Sequence, residues 1–375
     1  GTVARLTLDV PTYLAAMQHL RDGSVRERLH RAFVTRASDR GETPRRFDNA
    51  PLMQEILELR QEQAELLELP SYAHLSLVRK MADTPEQVLT FLRDLVSSAR
   101  PRADQDYAEL RGFASAAHLD PWDVPFWSER LRESRYAVSQ EALRPWFPLD
   151  RVLAGLFRIV ERLFGVTLRE AAFGPVWHPD VRCCEVLDAG GALLGRLYLD
   201  LYAREGKRGG AWMDACRLRR RTESGVQLPV AFLTCNFAPP PAGGRAQLSH
   251  DEVLTLFHET GHTLHHLLTA QERPPVSGIN GVAWDAVELP SQFMENFCWT
   301  PEGLELLSGH VDDGAPLPRS LRERLLAART FQAGLAMVRQ LEFGLFDLEL
   351  HRLDPRNRPG VAHEIARTVR QEVAV

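Results

Sequence analysis

The chain has 375 residues, of which 44% are apolar, and a formal net charge of −5 at pH 7. At this length we expect two or three packed regions rather than one small core. The mild charge favours neither a nucleic acid nor an anionic membrane as a partner, and no apolar run reaches the length of a membrane span.

The cysteines indicate the redox environment. There are five, an odd number without a C-x-x-C pair, which argues against a disulfide framework and against a zinc site built from thiolates. A reducing compartment is therefore favoured. Because no signal peptide is recognisable at the start of the sequence, we expect the cytoplasm.

Residues 1–170 are predicted to be helical. Thr84 and Gln87 read as a capping box with Pro85 at the first helical position. Asp150 is predicted to cap the helix that follows it. Within residues 51–69, apolar residues recur at helical spacing, and we interpret this stripe as a face buried in the core. The stripe consists of Leu52, Ile56, Leu59 and Leu66.

Residues 171–247 are predicted to form a small antiparallel sheet with its loops. Residues 180–203 look like a hairpin that turns at Gly190-Gly191, and "LPVAFLTCNF" (228–237) is rich in strand formers. This last strand is either an ordinary core strand or a strand that pairs with an extended peptide, and the sequence leaves both interpretations open.

Residues 248–375 are predicted to return to helices, and the first of them carries a metal motif. Ser249 and Glu252 form a second capping box, so a helix begins there. His258 and His262 are four residues apart and share one face of that helix, where both imidazoles can bind one cation. Glu259 completes an H-E-x-x-H motif and can touch a water on the metal. The alternative is a helix with polar histidines on an exposed face.

A catalytic zinc ion takes three protein ligands and keeps one position for water. Glu288 and Glu295 are seven residues apart on a second predicted helix, which Asp285 could cap and which has Pro290 near its start. We predict that Glu288 is the third ligand and that Glu295 orients an imidazole by hydrogen bonding. The exchange of these two roles stays open.

The remaining histidines of this helix receive weaker predictions, and for His265 and His266 a packed or solvated histidine is the preferred interpretation. A three-histidine zinc motif would need glycine at His265 and histidine at Leu268, so that arrangement is excluded. His265 shares the face of the two predicted ligands and is a candidate for contact with them. We expect one Zn²⁺ per chain, whose bound water is deprotonated by Glu259 acting as a general base.

Several segments together resemble the thimet oligopeptidase family of zinc metallopeptidases. They are "LFHETGHTLHHLL", "SGINGVAWDAVELPSQFMENFCW", "GRLYLDLYAREGKRGGAWM", "LPVAFLTCNF", "RQLEFGLFDLELH", "TLDVPTY" and "LVRKMADTPEQV". The resemblance covers almost the whole chain. It implies a mainly helical fold with a deep channel and a small sheet beside the zinc, and the cleavage of short peptides. By position it implies zinc ligands at His258, His262 and Glu288, with Glu259 as the catalytic acid and base.

The chain departs from this family in three places. Thr260 stands where members usually carry an aromatic residue, and Phe297 where a tryptophan is typical. Members also continue beyond a stretch like "VRQEVAV" with a segment rich in His, Gly and Tyr that helps to hold the substrate. Here the last tyrosine is Tyr202 and the sequence ends at Val375. We therefore expect an internal fragment that lacks both ends of the longer enzyme.

Two other functions stay open at this point. The chain could be a catalytically incomplete module that only binds zinc and peptides, which the missing tyrosine segment favours. It could also be a structural helical protein, which would hold no stoichiometric zinc.

Overall fold

The computed structural model describes residues 6–41, 47–137, 139–241 and 243–375. These residues are mainly helical with a small sheet, as predicted. The helices are α1 (Val10–His19), α2 (Gly23–Val34), α3 (Ala50–Leu66), α4 (Tyr72–Leu77), α5 (Pro85–Ala114), α6 (Val124–Tyr136), α7 (Gln140–Leu143), α8 (Leu149–Phe164), α9 (His250–Leu267), α10 (Leu289–Glu295), α11 (Pro301–Leu307), α12 (Arg319–Ala327), α13 (Ala333–Arg352) and α14 (Val361–Val373). The strands are β1 (Thr167–Glu170), β2 (Arg182–Leu187), β3 (Leu193–Tyr202), β4 (Trp212–Arg217), β5 (Arg220–Thr222), β6 (Gly225–Gln227) and β7 (Val230–Phe237).

Contacts divide the chain into two compact units. The first comprises residues 1–137 and 328–375, and the second comprises residues 138–327. The boundaries predicted at residues 170 and 247 follow changes of secondary structure, and they do not coincide with the boundaries of the two units. The division into three functional segments stays a prediction.

The first unit has a helical core built on α5. The hydroxyl of Thr84 accepts a hydrogen bond from the backbone N–H of Gln87, and Pro85 is the first helical residue, so the N-cap at Thr84 is confirmed. The predicted capping box is not complete, because the side chain of Gln87 accepts from the backbone N–H of Asp83 instead. Helix α5 packs against α13, and α13 packs against α14. The side chains buried between them are Leu89, Val96, Ala103, Val338, Leu341, Leu345, Val369 and Val373.

The predicted buried stripe of α3 is wrong. Leu52, Ile56, Leu59 and Leu66 are all exposed, Leu66 by as much as 77%. The buried residues of α3 are instead Leu57, Gln61 and Ala64. Periodicity identifies residues that share a face, but it does not say on which side a neighbouring helix packs.

In the second unit, α8 begins two residues earlier than predicted. Pro148 occupies the N-cap position, so the predicted cap at Asp150 is wrong. The carboxylate of Asp150 instead accepts a hydrogen bond from Arg182 at 2.7 Å. Helix α8 packs against α11 so closely that a Cβ added to Gly155 would lie 2.5 Å from the backbone oxygen of Leu306.

The main sheet has five strands in the order β1-β2-β3-β7-β4. The predicted hairpin is confirmed, since β2 and β3 are antiparallel and Gly191 in the turn has a φ of 83°. The prediction of an antiparallel sheet is wrong for one pairing, because β3 and β7 are parallel. The chain between these strands forms β4, β5 and β6 and returns to the end of the sheet where β3 starts. Strand β7 is therefore central and β4 lies at the edge.

One face of this sheet supports α9. The helix packs against β3, β4 and β7, and a Cβ added to Gly195 of β3 would lie 3.1 Å from the side chain of Leu267. Alternate residues of β3 and β7 are buried, as expected for one covered face. They are Leu197, Leu199, Leu201, Ala231, Leu233 and Cys235.

A buried ion pair fixes the loop between β3 and β4. Asp200 is 4% exposed and accepts hydrogen bonds from Trp177, Arg204 and Lys207. Burial alone would raise the pKa of Asp200, but these hydrogen bonds outweigh it and hold the pKa well below its usual range. The ammonium of Lys207 also donates to the backbone oxygens of Tyr202 and Cys235. The loop is thus attached to the ends of both central strands.

We expect Asp200→Asn to lower the free energy of unfolding by about 3–5 kcal/mol, because it leaves the buried ammonium of Lys207 without its counter-charge. Urea unfolding followed by circular dichroism measures the loss. Asp104→Asn is the control, because it removes an exposed ion pair worth about 0–1 kcal/mol. Equal losses in the two variants would contradict this role of Asp200.

Candidate metal centre

Helix α9 begins as the sequence predicts. The hydroxyl of Ser249 accepts from the N–H of Glu252 at 3.1 Å, and the carboxylate of Glu252 accepts from the N–H of Ser249 at 2.7 Å. This capping box satisfies two backbone donors that the helix leaves unpaired. On the helix, His258 and His262 lie one turn apart, with ring centroids separated by 5.1 Å.

Glu288 meets both imidazoles. Its Oε2 lies 3.1 Å from Nε2 of His258 and 3.1 Å from Nε2 of His262. Ligand atoms of the three residues lie within 4.8 Å of one another. Two imidazole nitrogens and a carboxylate oxygen are a donor set that suits Zn²⁺, so these residues fit a metal ion.

The segment that carries Glu288 differs in detail from the prediction. Glu288 itself is the N-cap residue of α10, so the predicted cap at Asp285 is wrong. Pro290 lies near the start of the helix, as expected. The hydroxyl of Ser291 lies 2.8 Å from the Oε2 atom of Glu288 and donates a hydrogen bond to it. This bond restrains the carboxylate toward the two histidines.

Glu295 contacts only the far side of one imidazole. Its Oε1 lies 2.7 Å from Nδ1 of His258. Because a carboxylate only accepts, Nδ1 carries the proton, and a neutral ring then presents the lone pair of Nε2 beside Glu288. This arrangement favours Glu288 over Glu295 as a ligand, while the roles of both residues stay predictions.

Glu259 is buried beside this cluster. It is 6% exposed, and the backbone N–H of Met213 in β4 lies near enough to its carboxylate to lower its pKa. Burial raises the pKa of Glu259 and the charge of Glu288 raises it further, whereas His258 and Met213 act in the opposite direction. A carboxyl group whose pKa moves toward neutrality is suited to accept and return a proton.

Burial favours the neutral form of several histidines on α9. Burial lowers the pKa of His262, and also those of His250, His265 and His266. A neutral imidazole is the form that binds a metal. His265 lines an adjacent cavity of about 650 Å³ between α9 and α10, and its buried Nδ1 has no hydrogen-bond partner among the described residues. Its predicted contribution to the site stays a prediction.

Sequence reasoning missed three residues that shape the site, His250, Ser291 and Met213, whereas it interprets His266 as a packed or solvated histidine. His250 is fully buried, and its Nε2 lies 3.0 Å from the backbone oxygen of Cys298, just beyond α10. His266 binds the backbone oxygen of Arg217 at the end of β4. The contact of Ser291 with Glu288 could have been inferred from their three-residue spacing at the start of a helix. The backbone contact of Met213 leaves no signal in the sequence.

Strand β7, the predicted candidate for pairing with an extended peptide, has no edge available for such pairing. Because β7 is paired with β3 on one side and with β4 on the other, it has no free edge. The interpretation as an ordinary core strand is the correct one. Among the strands that the structure describes, none pairs with the other edge of β4.

Comparisons with a family model and with individual proteins agree on one peptidase family. The model of peptidase family M3 matches residues 16–374. Oligopeptidase A of Salmonella typhimurium is 53% identical over 92% of the chain, and oligopeptidase A of Haemophilus influenzae is 46% identical over 99%. These matches cover 52% and 55% of the two relatives, so the chain spans about half the length of each.

A solved structure that carries the name oligoendopeptidase F supports the fold. It matches with a TM-score of 0.56 and 16% identity, over 96% of this chain and 52% of that chain. Within the described residues, no helix is both long and apolar enough to cross a membrane.

The buried histidines predict a pH-dependent stability. In the metal-free protein, the free energy of unfolding should fall as the pH drops below about 6.5, since His250 and His266 bind protons in the unfolded chain before they do so in the folded one. Each contributes up to about 1.4 kcal/mol per pH unit. Urea unfolding from pH 7.5 to 5.5 measures the slope, which should flatten when both are changed to glutamine. An unchanged slope in the double variant would contradict this account.

Proposed function

The chain belongs to peptidase family M3, and on that premise we propose that it carries the metal centre of a zinc-dependent endopeptidase that cleaves short peptides. The observation that carries the proposal is the approach of Oε2 of Glu288 to within 3.1 Å of Nε2 in both His258 and His262. We propose these three residues as the ligands of one Zn²⁺ ion.

The proposed mechanism assigns separate tasks to the two nearby carboxylates. When bound, zinc would supply Lewis acidity to a water and to the peptide carbonyl. Glu259 takes the proton of the attacking water and passes it to the leaving amine, which its raised pKa supports. Glu295 keeps the proton of His258 on Nδ1, so that Nε2 is free to bind.

We further propose that the peptide lies as an added strand along β4. This strand is at the edge of the sheet, and the N–H of its Met213 lies near the carboxylate of Glu259, so its backbone adjoins the proposed base. Backbone pairing holds a peptide regardless of its sequence and leaves specificity to the side chains that alternate along it.

The alternative, a catalytically incomplete module that binds only zinc and peptide, is the outcome that the peptide-cleavage assay described below separates from a peptidase.

We also propose that the protein works in the cytoplasm. Five free cysteines suit a reducing compartment.

Glu259→Gln should keep one zinc per chain and lower the cleavage of a quenched fluorescent peptide by about 10²–10⁴, because the amide cannot accept the proton of water. Elemental analysis and initial rates measure the two properties, and Glu223→Gln in the exposed turn between β5 and β6 is the control. Retained turnover would remove Glu259 from the role of base.

The same assay separates the two candidate functions. It is carried out on this chain and on a form extended to the length of its relatives. Turnover in the extended form that disappears with Glu259→Gln supports the peptidase. Bound zinc without turnover in either form supports the binding module, and no stoichiometric zinc in either form contradicts both.

Pairing with β4 predicts an alternating effect of peptide N-methylation. A methyl group on a peptide nitrogen that faces β4 should raise KM about fivefold, because one hydrogen bond of about 1 kcal/mol is lost. Methylation at the adjacent nitrogen, which faces away, is the matched control. Equal effects at successive positions would argue against an added strand.

A further inference from the structure

Helices α9 and α10 approach most closely at a glycine. A Cβ built on Gly261 would lie 2.4 Å from the backbone oxygen of Pro290 and 2.5 Å from Cα of Ser291. Because the obstructing atoms belong to the backbone, they cannot move aside by a change of rotamer. Gly261 has no positive φ, so the close approach, and not its backbone conformation, explains the glycine.

The backbone that faces Gly261 also holds the carboxylate of the site. Ser291 is fully buried, and its hydroxyl lies 2.8 Å from both the backbone oxygen and Oε2 of Glu288. This hydroxyl therefore links the position of Glu288 to the backbone of α10 at the point of contact with α9. Gly261 itself lies next to His262 in the chain, so both partners of the contact adjoin residues of the site.

We propose that Gly261 is a positioning residue, which sets the spacing of α9 and α10 so that Glu288 reaches both imidazoles. This inference rests on the proposed function, in which Glu288 is a metal ligand. A methyl group at Gly261 requires a shift of at least about 1 Å, since non-bonded carbon atoms prefer separations of about 3.5–4.0 Å. Zinc–oxygen bonds of about 2.0–2.2 Å tolerate deviations of only about 0.2 Å.

The displacement would reach Glu288 because the C-terminal end of α10 and the residues just after it are held to α9 by hydrogen bonds. Glu295 is bonded to His258, and the backbone oxygen of Cys298 is bonded to His250 at the start of α9. These bonds hold the segment downstream of Ser291. The start of α10, where Glu288 is located, is the part that can move away.

The test is the metal affinity of Gly261→Ala in the full chain. We expect Zn²⁺ binding to weaken about 10–100-fold, as for other losses of support around metal ligands, and the visible spectrum of the Co²⁺-loaded protein to change. Alanine favours a helix over glycine by about 1 kcal/mol, so α9 itself should not be weakened. Chelator competition measures the affinity and circular dichroism confirms the fold.

Two glycines provide matched controls. Gly344→Ala in α13 places its Cβ at an ordinary 3.5 Å from Leu92 and should change nothing. Gly155→Ala creates an equally close backbone contact, 2.5 Å from the oxygen of Leu306, away from the site. It should lower stability but leave the metal affinity and the Co²⁺ spectrum of the folded protein unchanged. A similar loss of affinity in Gly155→Ala would overturn the proposal.

A second variant keeps the test decisive if Gly261→Ala does not fold. Ser291→Ala leaves the backbone contact intact, removes the hydroxyl from Glu288 and should weaken Zn²⁺ binding about tenfold. Wild-type affinity and an unchanged Co²⁺ spectrum in either folded variant would overturn the role of Gly261 and Ser291. If the unsubstituted chain binds no Zn²⁺, or if Glu288→Gln binds it equally well, the proposed function fails instead.

Discussion

The backbone contact between α9 and α10 is the constraint on which the rest of the site depends. The imidazoles of His258 and His262 are placed by one turn of α9, and their separation needs no support from elsewhere. The carboxylate of Glu288 comes from a different element. It reaches them because the backbone at Pro290 and Ser291 lies against a residue without a side chain, Gly261.

Burial shifts the pKa values of two groups beside this contact. The sheet covers one side of α9, and desolvation lowers the pKa of His262 and raises that of Glu259. Both shifts favour the uncharged form, as desolvation of any ionisable group does. The same physical effect thus suits both proposed roles, a neutral imidazole as a metal ligand and a carboxyl group as a base.

The sheet contributes in a second way, through its strand order. The parallel pairing of β3 with β7 encloses β7 and leaves β4 at the edge, where its backbone meets Glu259. The buried pair of Asp200 and Lys207 attaches the loop before β4 to the ends of both central strands. The position of β4, and with it the environment of Glu259, depends on this connection.

Short-range sequence patterns are enough to predict the local features of this protein. The N-cap at Thr84, the capping box at Ser249, the β2–β3 hairpin and the H-E-x-x-H spacing all depend on residues within a few positions of one another, so short-range geometry decides them. The seven-residue interval between Glu288 and Glu295 likewise suggested a shared face.

The packing of whole helices and strands determines which surfaces are in contact, and short-range patterns do not predict it. The apolar stripe of α3 that includes Leu66 is exposed, because its neighbours pack on the opposite face. Strand β7 is enclosed rather than open, since a crossover returns the chain beside β3. The contacts of Met213 with Glu259 and of Gly261 with Ser291 join residues far apart in the chain. Such contacts depend on the packing of whole elements, which no local pattern of residues encodes.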